Sequence, residues 1–86
     1  MNGQLPSGLP PIITMAKTPK KLTHVADCVA FDGTPTTIWV YTAGRSFYIA
    51  TQSQEHLCHP SVTDMSGVKR EIALVFQARV ENFREQ

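Results

Sequence analysis

The 86-residue chain contains no long apolar run, and no window approaches the roughly 18 consecutive apolar residues that a membrane-spanning helix needs. It also lacks a dominant charge, because eight lysines and arginines against seven aspartates and glutamates leave a formal net charge of +1. A nearly neutral chain has no strong field to recruit nucleic acid or an acidic membrane surface. We therefore expect no membrane partner, and only weak support for a nucleic-acid partner.

Cysteine is scarce, since Cys28 and Cys58 are the two cysteines and lie far apart in the sequence. The N-terminal stretch MNGQLPSGLPPIIT has no basic start and does not resemble a secretory signal. Without export, cysteines usually remain reduced. These features predict a cytoplasmic protein with free thiols rather than a disulfide bond.

Sequence motifs of catalysis are missing as well. The chain has no G-x-S-x-G, no glycine-rich phosphate loop and no H-E-x-x-H. On a strand, His24 and Cys28 would share one side but stand roughly 13 Å apart, too far for a cysteine–histidine pair. A domain this small also has little room for an enclosed pocket. We predict no enzymatic activity and no cofactor.

One short segment, His56-Leu57-Cys58-His59, brings three potential metal ligands into four residues. Zinc prefers four ligands in two separated pairs, and here no second pair follows. The residues that could complete a site are His24, Cys28 and Asp64. The sequence therefore predicts a polar loop without a metal. A metal-stabilised or redox-sensitive regulator that uses Cys28 and Cys58 is a further alternative.

The chain divides into an N-terminal arm, residues 1–20, and a single small domain, residues 21–86. Four prolines fix φ and remove backbone donors within the arm, which opposes both helix and central strand. Composition predicts a flexible tail. An alternative is an extended arm that docks on a neighbouring subunit through Leu9, Ile12 and Ile13.

Residues 22–52 predict a three-stranded antiparallel meander. The strands cover residues 22–31, 36–42 and 45–52, and they are rich in β-branched and aromatic residues. Residues 32–35 and the Ala43-Gly44 pair predict the two turns. With these loops, Val29 pairs with Ile38 and Val40 pairs with Phe47.

This register predicts two faces of the sheet. The aliphatic face would carry Val25, Val29, Phe31, Ile38, Val40, Phe47 and Ile49. The opposite face would carry Ala26, Cys28, Ala30, Trp39, Tyr41, Tyr48 and Ala50. Asp27 breaks the pattern because it falls on the aliphatic face opposite Val40.

The last segment, residues 68–86, fits two templates. A helical wheel gathers its larger apolar residues on one arc, with Ser66 as N-cap, whereas a strand template makes other apolar residues alternate. Length and good helix formers favour the helix. We predict an α+β fold of a three-stranded antiparallel β-meander, one C-terminal helix and a flexible arm. The alternative is an all-β small open barrel.

In the α+β fold the helix would cover the aliphatic face and leave the aromatic rings of Trp39, Tyr41 and Tyr48 open. Three such rings would make a large exposed patch. We predict a protein-binding site at these rings with Arg45 at its rim, in a homo-oligomer or with another protein. The alternatives are a stacking platform for single-stranded nucleic acid and burial under the chain's own arm or C-terminal segment.

Overall fold

The structure, a computed structural model, describes Pro10, Pro11 and residues 20–86. Apart from Pro10, Pro11 and Lys20, the predicted arm lies outside the described residues. The elements in chain order are β1 (Lys21–Ala30), β2 (Pro35–Ala43), β3 (Ser46–Ala50), β4 (Glu55–Leu57), α1 (Met65–Val75) and β5 (Ala78–Glu85). Within this part of the chain, no helix is long and apolar enough to cross a membrane.

The five strands form one antiparallel sheet in the order β4-β3-β2-β1-β5. The sheet is open, because β4 and β5 are edge strands. The α+β class is therefore confirmed in outline, and the prediction of three strands is wrong. The meander continues through the short strand β4, and a strand follows the helix.

The segment predicted as one C-terminal helix contains both a helix and a strand. The helix ends at the C-cap Phe76, and Gln77 then takes a left-handed backbone with φ of 53°. Left-handed residues commonly follow helix ends, and they turn the chain out of the helical path. Strand β5 then pairs with β1 over Ala78–Glu85. The helix begins after Asp64, not Ser66, because the Asp64 carboxylate accepts the backbone N–H of Gly67.

The β1–β2 register differs from the prediction and exchanges the two faces of β1. Ile38 pairs with Ala26 rather than Val29, a shift of three residues. The Ala30 N–H donates to the Thr34 carbonyl at 2.8 Å, so the loop between these residues has three residues, 31–33, and not the predicted four. An odd shift moves every side chain to the other face. Hence Ala26 and Cys28 join the aliphatic residues, and Val25 joins the aromatic ones.

The β2–β3 hairpin also differs in register, without changing faces. Its two-residue loop is Gly44-Arg45 rather than Ala43-Gly44, and Val40 pairs with Ile49. Gly44 has φ of 62°, a conformation that favours glycine at the first central position of a tight hairpin. The shift is even, so Val40 and Ile49 remain on one face while Tyr41 and Tyr48 remain on the other.

Helix α1 packs on the aliphatic face of the sheet, which we call the helix face. Val68 and Ile72 point from the helix into this core, and both are completely buried. The other buried members of the core are Ala26, Cys28, Ile38, Val40, Ile49, Cys58 and Ala78. Phe83 and Val80, predicted to lie on the helix, pack against the core from β5 instead.

Candidate functional site

The aromatic face is the sheet face opposite helix α1. Trp39 and Tyr41 alternate along β2, and Tyr48 lies directly opposite Tyr41 on β3. Residues directly opposite each other in an antiparallel pair share one face. The complete buried cluster consists of Val25, Trp39, Tyr41, Ala43, Tyr48 and Ala50, with Leu22 packed at its border. The prediction that the three rings share one face is therefore confirmed.

These rings are buried, and the prediction of an open aromatic face is wrong. Trp39 is 3% exposed, Tyr41 is 5% exposed and Tyr48 is 7% exposed. A contact from outside the sheet reaches this face, because the Tyr41 hydroxyl donates to the Pro11 carbonyl at 2.9 Å. At Tyr41, the physical reason for the error is thus that Pro11, which lies outside the sheet and the helix, reaches this face. Whether these residues bind a partner stays a prediction.

The environment of Tyr41 changes its acidity. Burial raises the pKa of the Tyr41 phenol above its ordinary value, and the nearby negative charge of Glu55 raises it further. Glu55 belongs to β4, where it pairs with Ala50 of the aromatic cluster. A protonated hydroxyl is the form that donates to a carbonyl. The site therefore keeps Tyr41 as a hydrogen-bond donor throughout the neutral pH range.

Arg45 and Leu57 lie beside the strand positions that carry the rings. Arg45 is exposed in the two-residue β2–β3 loop and not on the third strand as predicted, and its place at the rim of a binding site stays a prediction. Leu57 on β4 lies opposite Tyr48 and is 43% exposed. Leu57 extends the aromatic face toward the sheet edge with accessible apolar surface. Sequence reasoning missed Leu57, which lay in the predicted polar connection.

Asp27 lies at the polar end of the same face, not on the aliphatic face. It pairs with Thr37 on β2 and with Asn82 on β5. The Arg84 guanidinium donates to its carboxylate at 3.0 Å, and the Asn82 amide donates at 3.4 Å. The register shift explains the difference, because β1 is turned over relative to the prediction. Asp27 is thus paired on the surface rather than stranded in an aliphatic core.

The potential metal ligands of the 56–59 segment point to different surroundings. His56 Nε2 lies 3.1 Å from a carboxylate oxygen of Glu71 on α1, and His59 Nδ1 lies 2.8 Å from the Ser61 hydroxyl. Cys58 is buried in the helix-face core. Throughout the described residues, no three histidine, cysteine or acidic side chains gather in a way that could hold a metal ion.

The residues considered as additional ligands are occupied elsewhere. The His24 ring stacks on Phe83 with ring centroids 4.7 Å apart. Asp64 caps the helix. Cys28 and Cys58 are both free, and both lie in the helix-face core. Burial raises the pKa of each thiol to about 11, with nearby acidic groups adding to the effect. A thiol that stays protonated is a poor nucleophile and a poor metal ligand.

A second apolar surface lies at the β1–β2 loop, and the sequence pattern did not predict it either. Phe31 was expected on the aliphatic face, yet it is 76% exposed because β1 ends at Ala30. It lines an open groove of about 560 Å³ together with Ala73 of α1 and Ala78 of β5. Arg79 supplies the one charged side chain of this lining, and the other lining residues are apolar or glycine. The groove is therefore suited to apolar contact.

Comparison with known proteins identifies no relative. No protein family model matches the chain, and no match to a curated protein or to a solved structure is found. The functional conclusions therefore rest on the residues of this chain.

Proposed function

We propose that the protein is a non-enzymatic interaction module that assembles with a second copy of itself through its aromatic face. The observation that carries this proposal is the contact between Tyr41 and Pro11. It joins the aromatic face to a segment thirty residues earlier in the chain, outside the sheet. Pro11, the described residue that contacts Tyr41 from outside the sheet, belongs to no strand or helix.

A contact made by a residue outside the sheet and the helix can be exchanged between two copies. In such an exchange, the Pro11 carbonyl of one copy accepts the Tyr41 hydroxyl of the other and makes the same hydrogen bond. The contact energy is nearly unchanged by the exchange, while Leu57 and Arg45 at the rim gain a neighbour. The rings can thus be buried within a single chain and still form part of the interface between two copies.

The test is the mass of the full chain in solution by light scattering over a concentration series. We expect a species of twice the 9.5 kDa chain mass that dissociates on dilution and is insensitive to salt, because neither Tyr41 nor Pro11 contributes a charge to the contact. A protein that stays monomeric at the highest concentration contradicts the proposal.

Two matched variants connect the assembly to the aromatic face. Leu57→Lys places a charge at the rim of this face, whereas Leu74→Lys places the same charge on the exposed outer side of α1. Both leucines are accessible, at 43% and 68% exposure, so both variants should fold. We expect Leu57→Lys to weaken the dimer about tenfold or more, equivalent to about 1.4 kcal/mol. Equal effects of the two variants would remove the aromatic face from the interface.

Binding of single-stranded nucleic acid remains the alternative. It needs accessible ring faces and neighbouring cations, and the buried rings of Trp39, Tyr41 and Tyr48 do not favour it over self-assembly. Trp39 is the single tryptophan, so its fluorescence reports on this face directly. Quenching by an oligonucleotide that weakens as salt rises would support the alternative.

A further inference from the structure

We infer that a groove at the polar end of the aromatic face binds a neutral sugar, and that the indole N–H of Trp39 donates a hydrogen bond to it. This polar groove lies where Thr37 and Trp39 on β2 stand beside Asp27 on β1, with residues 51–53 after β3 as its other wall. Its volume of about 550 Å³ is within the range of small-molecule sites. The inference concerns a small molecule and does not rest on the proposed self-assembly.

Trp39 provides the observation that points to a ligand. It is 3% exposed, and within Pro10, Pro11 and residues 20–86 no atom accepts a hydrogen bond from its indole N–H. A buried donor gives up its bonds to water, so nearly all such donors in folded proteins have an acceptor. The indole nitrogen can donate but cannot accept. Because Trp39 lines the polar groove, an oxygen atom of a bound molecule can be that acceptor.

The side chains around Trp39 offer hydroxyl groups. In the part of the chain that the structure describes, the hydroxyls of Thr36, Thr37 and Ser53 make no hydrogen bond, and all three residues line the groove. The Thr51 hydroxyl accepts the backbone N–H groups of Ser53 at 3.3 Å and Gln54 at 3.2 Å, which fixes this wall. A hydroxyl both donates and accepts. Such a lining complements a ligand that carries several hydroxyls of its own.

The charge of the polar groove disfavours anionic ligands. Asp27 is the one charged side chain among the described residues of its lining. The Arg84 guanidinium and the Asn82 amide donate to the Asp27 carboxylate, but neither residue lines the groove. A carboxylate has about four lone-pair sites, so Asp27 can accept further bonds from ligand hydroxyls. A phosphate or carboxylate ligand would instead be repelled by Asp27. These properties together select a neutral polyhydroxylated molecule.

The shape of the polar groove predicts weak binding. Because the groove is open, water competes for each hydrogen bond that a sugar makes. A molecule with about twelve non-hydrogen atoms also has little binding free energy to gain. We therefore expect a dissociation constant on the order of 1 mM.

The experiment follows the indole N–H signal in a proton–nitrogen NMR spectrum of the full chain. Trp39 is the single tryptophan, so one signal reports on the site. The chain is titrated with glucose, galactose and mannose, each to about 50 mM. We expect at least one of these sugars to shift the signal downfield to saturation, and glucuronate to bind about tenfold more weakly because of its charge. A signal that none of the three sugars shifts overturns the inference and leaves the indole to water.

Two matched variants test whether the groove is the binding site. Thr37→Val removes a hydroxyl that lines the groove, and Thr42→Val makes the same change on the same strand outside the lining. Both threonines are half-buried and valine keeps their branched shape, so both variants should fold. Loss of one hydrogen bond should make Thr37→Val bind the sugar roughly 2- to 12-fold more weakly. Equal affinities of the two variants would contradict the inference.

Trp39→Phe tests the indole donor itself, because phenylalanine keeps an aromatic ring and has no N–H. Isothermal titration should show binding of the sugar weakened about tenfold or more. Unchanged binding would contradict the role of Trp39. Should Trp39→Phe not fold, the indole signal and the two threonine variants still decide the matter.

The mass of the protein separates this inference from the proposed function. A monomer that binds one of the sugars contradicts self-assembly and supports the sugar site. A dimer whose indole signal none of the sugars shifts supports self-assembly and contradicts the sugar site.

Discussion

The two faces of one sheet are both buried, but they are covered in different ways. The helix face is covered by α1, an integral element whose Val68 and Ile72 are completely buried against the strands. The aromatic face is reached at Tyr41 by Pro11, a residue outside the sheet and the helix. Helix α1 is part of the fold and cannot separate from the sheet unless the protein unfolds. In the proposed assembly, this contact at Tyr41 is the one that a second copy would supply.

The two faces also differ in the kinds of side chain that they bury. The helix-face core consists of aliphatic side chains and two thiols that need no hydrogen-bond partner. The aromatic cluster holds two phenols and an indole, whose polar groups need partners when buried. The helix-face core therefore needs no such partner, whereas the buried Tyr41 hydroxyl has one in the Pro11 carbonyl.

The largest expected effect lies on the helix face. Ile72→Ala should lower the free energy of unfolding by about 2–5 kcal/mol, because it leaves a cavity between α1 and the sheet. The matched control is Leu74→Ala on the same helix, which is 68% exposed and should change stability by less than about 0.5 kcal/mol. Urea denaturation followed by circular dichroism measures both. Similar losses in the two variants would mean that α1 does not cover this face.

The sequence predicted this face only in part. Its helix template correctly gathered Val68 and Ile72, since a period of 3.6 is strong over these residues. It failed beyond Val75, because Gln77 leaves the helix without a glycine or proline to mark the end. The apolar residues Val80 and Phe83 continue the helical period by coincidence, while pairing with β1 decides their structure. Tertiary pairing of this kind is not visible in local propensity.

The next effect is a loss of stability at alkaline pH that belongs to the helix face. The unfolded chain releases thiol protons near pH 9, whereas Cys28 and Cys58 hold them to about pH 11 when folded. Between these values the folded state binds more protons, so stability falls as pH rises. The loss should be on the order of 2 kcal/mol per thiol.

Cys28→Ala is the control for this pH dependence. It should make the decline between pH 9 and pH 11 less steep by somewhat less than half, because Cys58 and the raised pKa of Tyr41 still contribute, even if the variant is less stable at pH 7. Stability measured by urea denaturation at each pH gives the slope. An unchanged slope in Cys28→Ala would contradict the assignment. Both thiols should also react slowly with thiol reagents at pH 8 until the protein unfolds.

The sequence correctly predicted which rings lie together on the aromatic face, but the prediction that they are exposed was wrong. Alternation along β2 and β3 placed Trp39, Tyr41 and Tyr48 together, because an even error in hairpin register preserves faces. The odd error between β1 and β2 arose because the loop between Ala30 and Thr34 has three residues, 31–33, and not the four that were predicted. The contact between Tyr41 and Pro11 joins two residues that lie thirty positions apart in the sequence. No local pattern in the sequence indicates such a contact.

A smaller effect is expected on the aromatic face. Tyr41→Phe should lower the free energy of unfolding by about 1 kcal/mol, since it removes the bond to the Pro11 carbonyl and keeps the ring. Combined with Cys28→Ala, its effect should add within about 0.5 kcal/mol, because the two residues lie on opposite faces. Urea denaturation of the single and double variants measures this. Strong coupling would mean that the faces are not independent.

The smallest effect belongs to the polar end of the aromatic face. Asp27 and Arg84 form an ion pair, but their side chains are 45% and 51% exposed. Water screens such pairs, so Asp27→Asn should cost about 0.2–1 kcal/mol and less at high salt. A double-mutant cycle with Arg84→Met isolates the pair, and Arg79→Met is a control on the same strand that does not contact Asp27. A coupling above about 2 kcal/mol would show that water does not reach this ion pair. The polar end of the aromatic face would then contribute to stability as the helix face does.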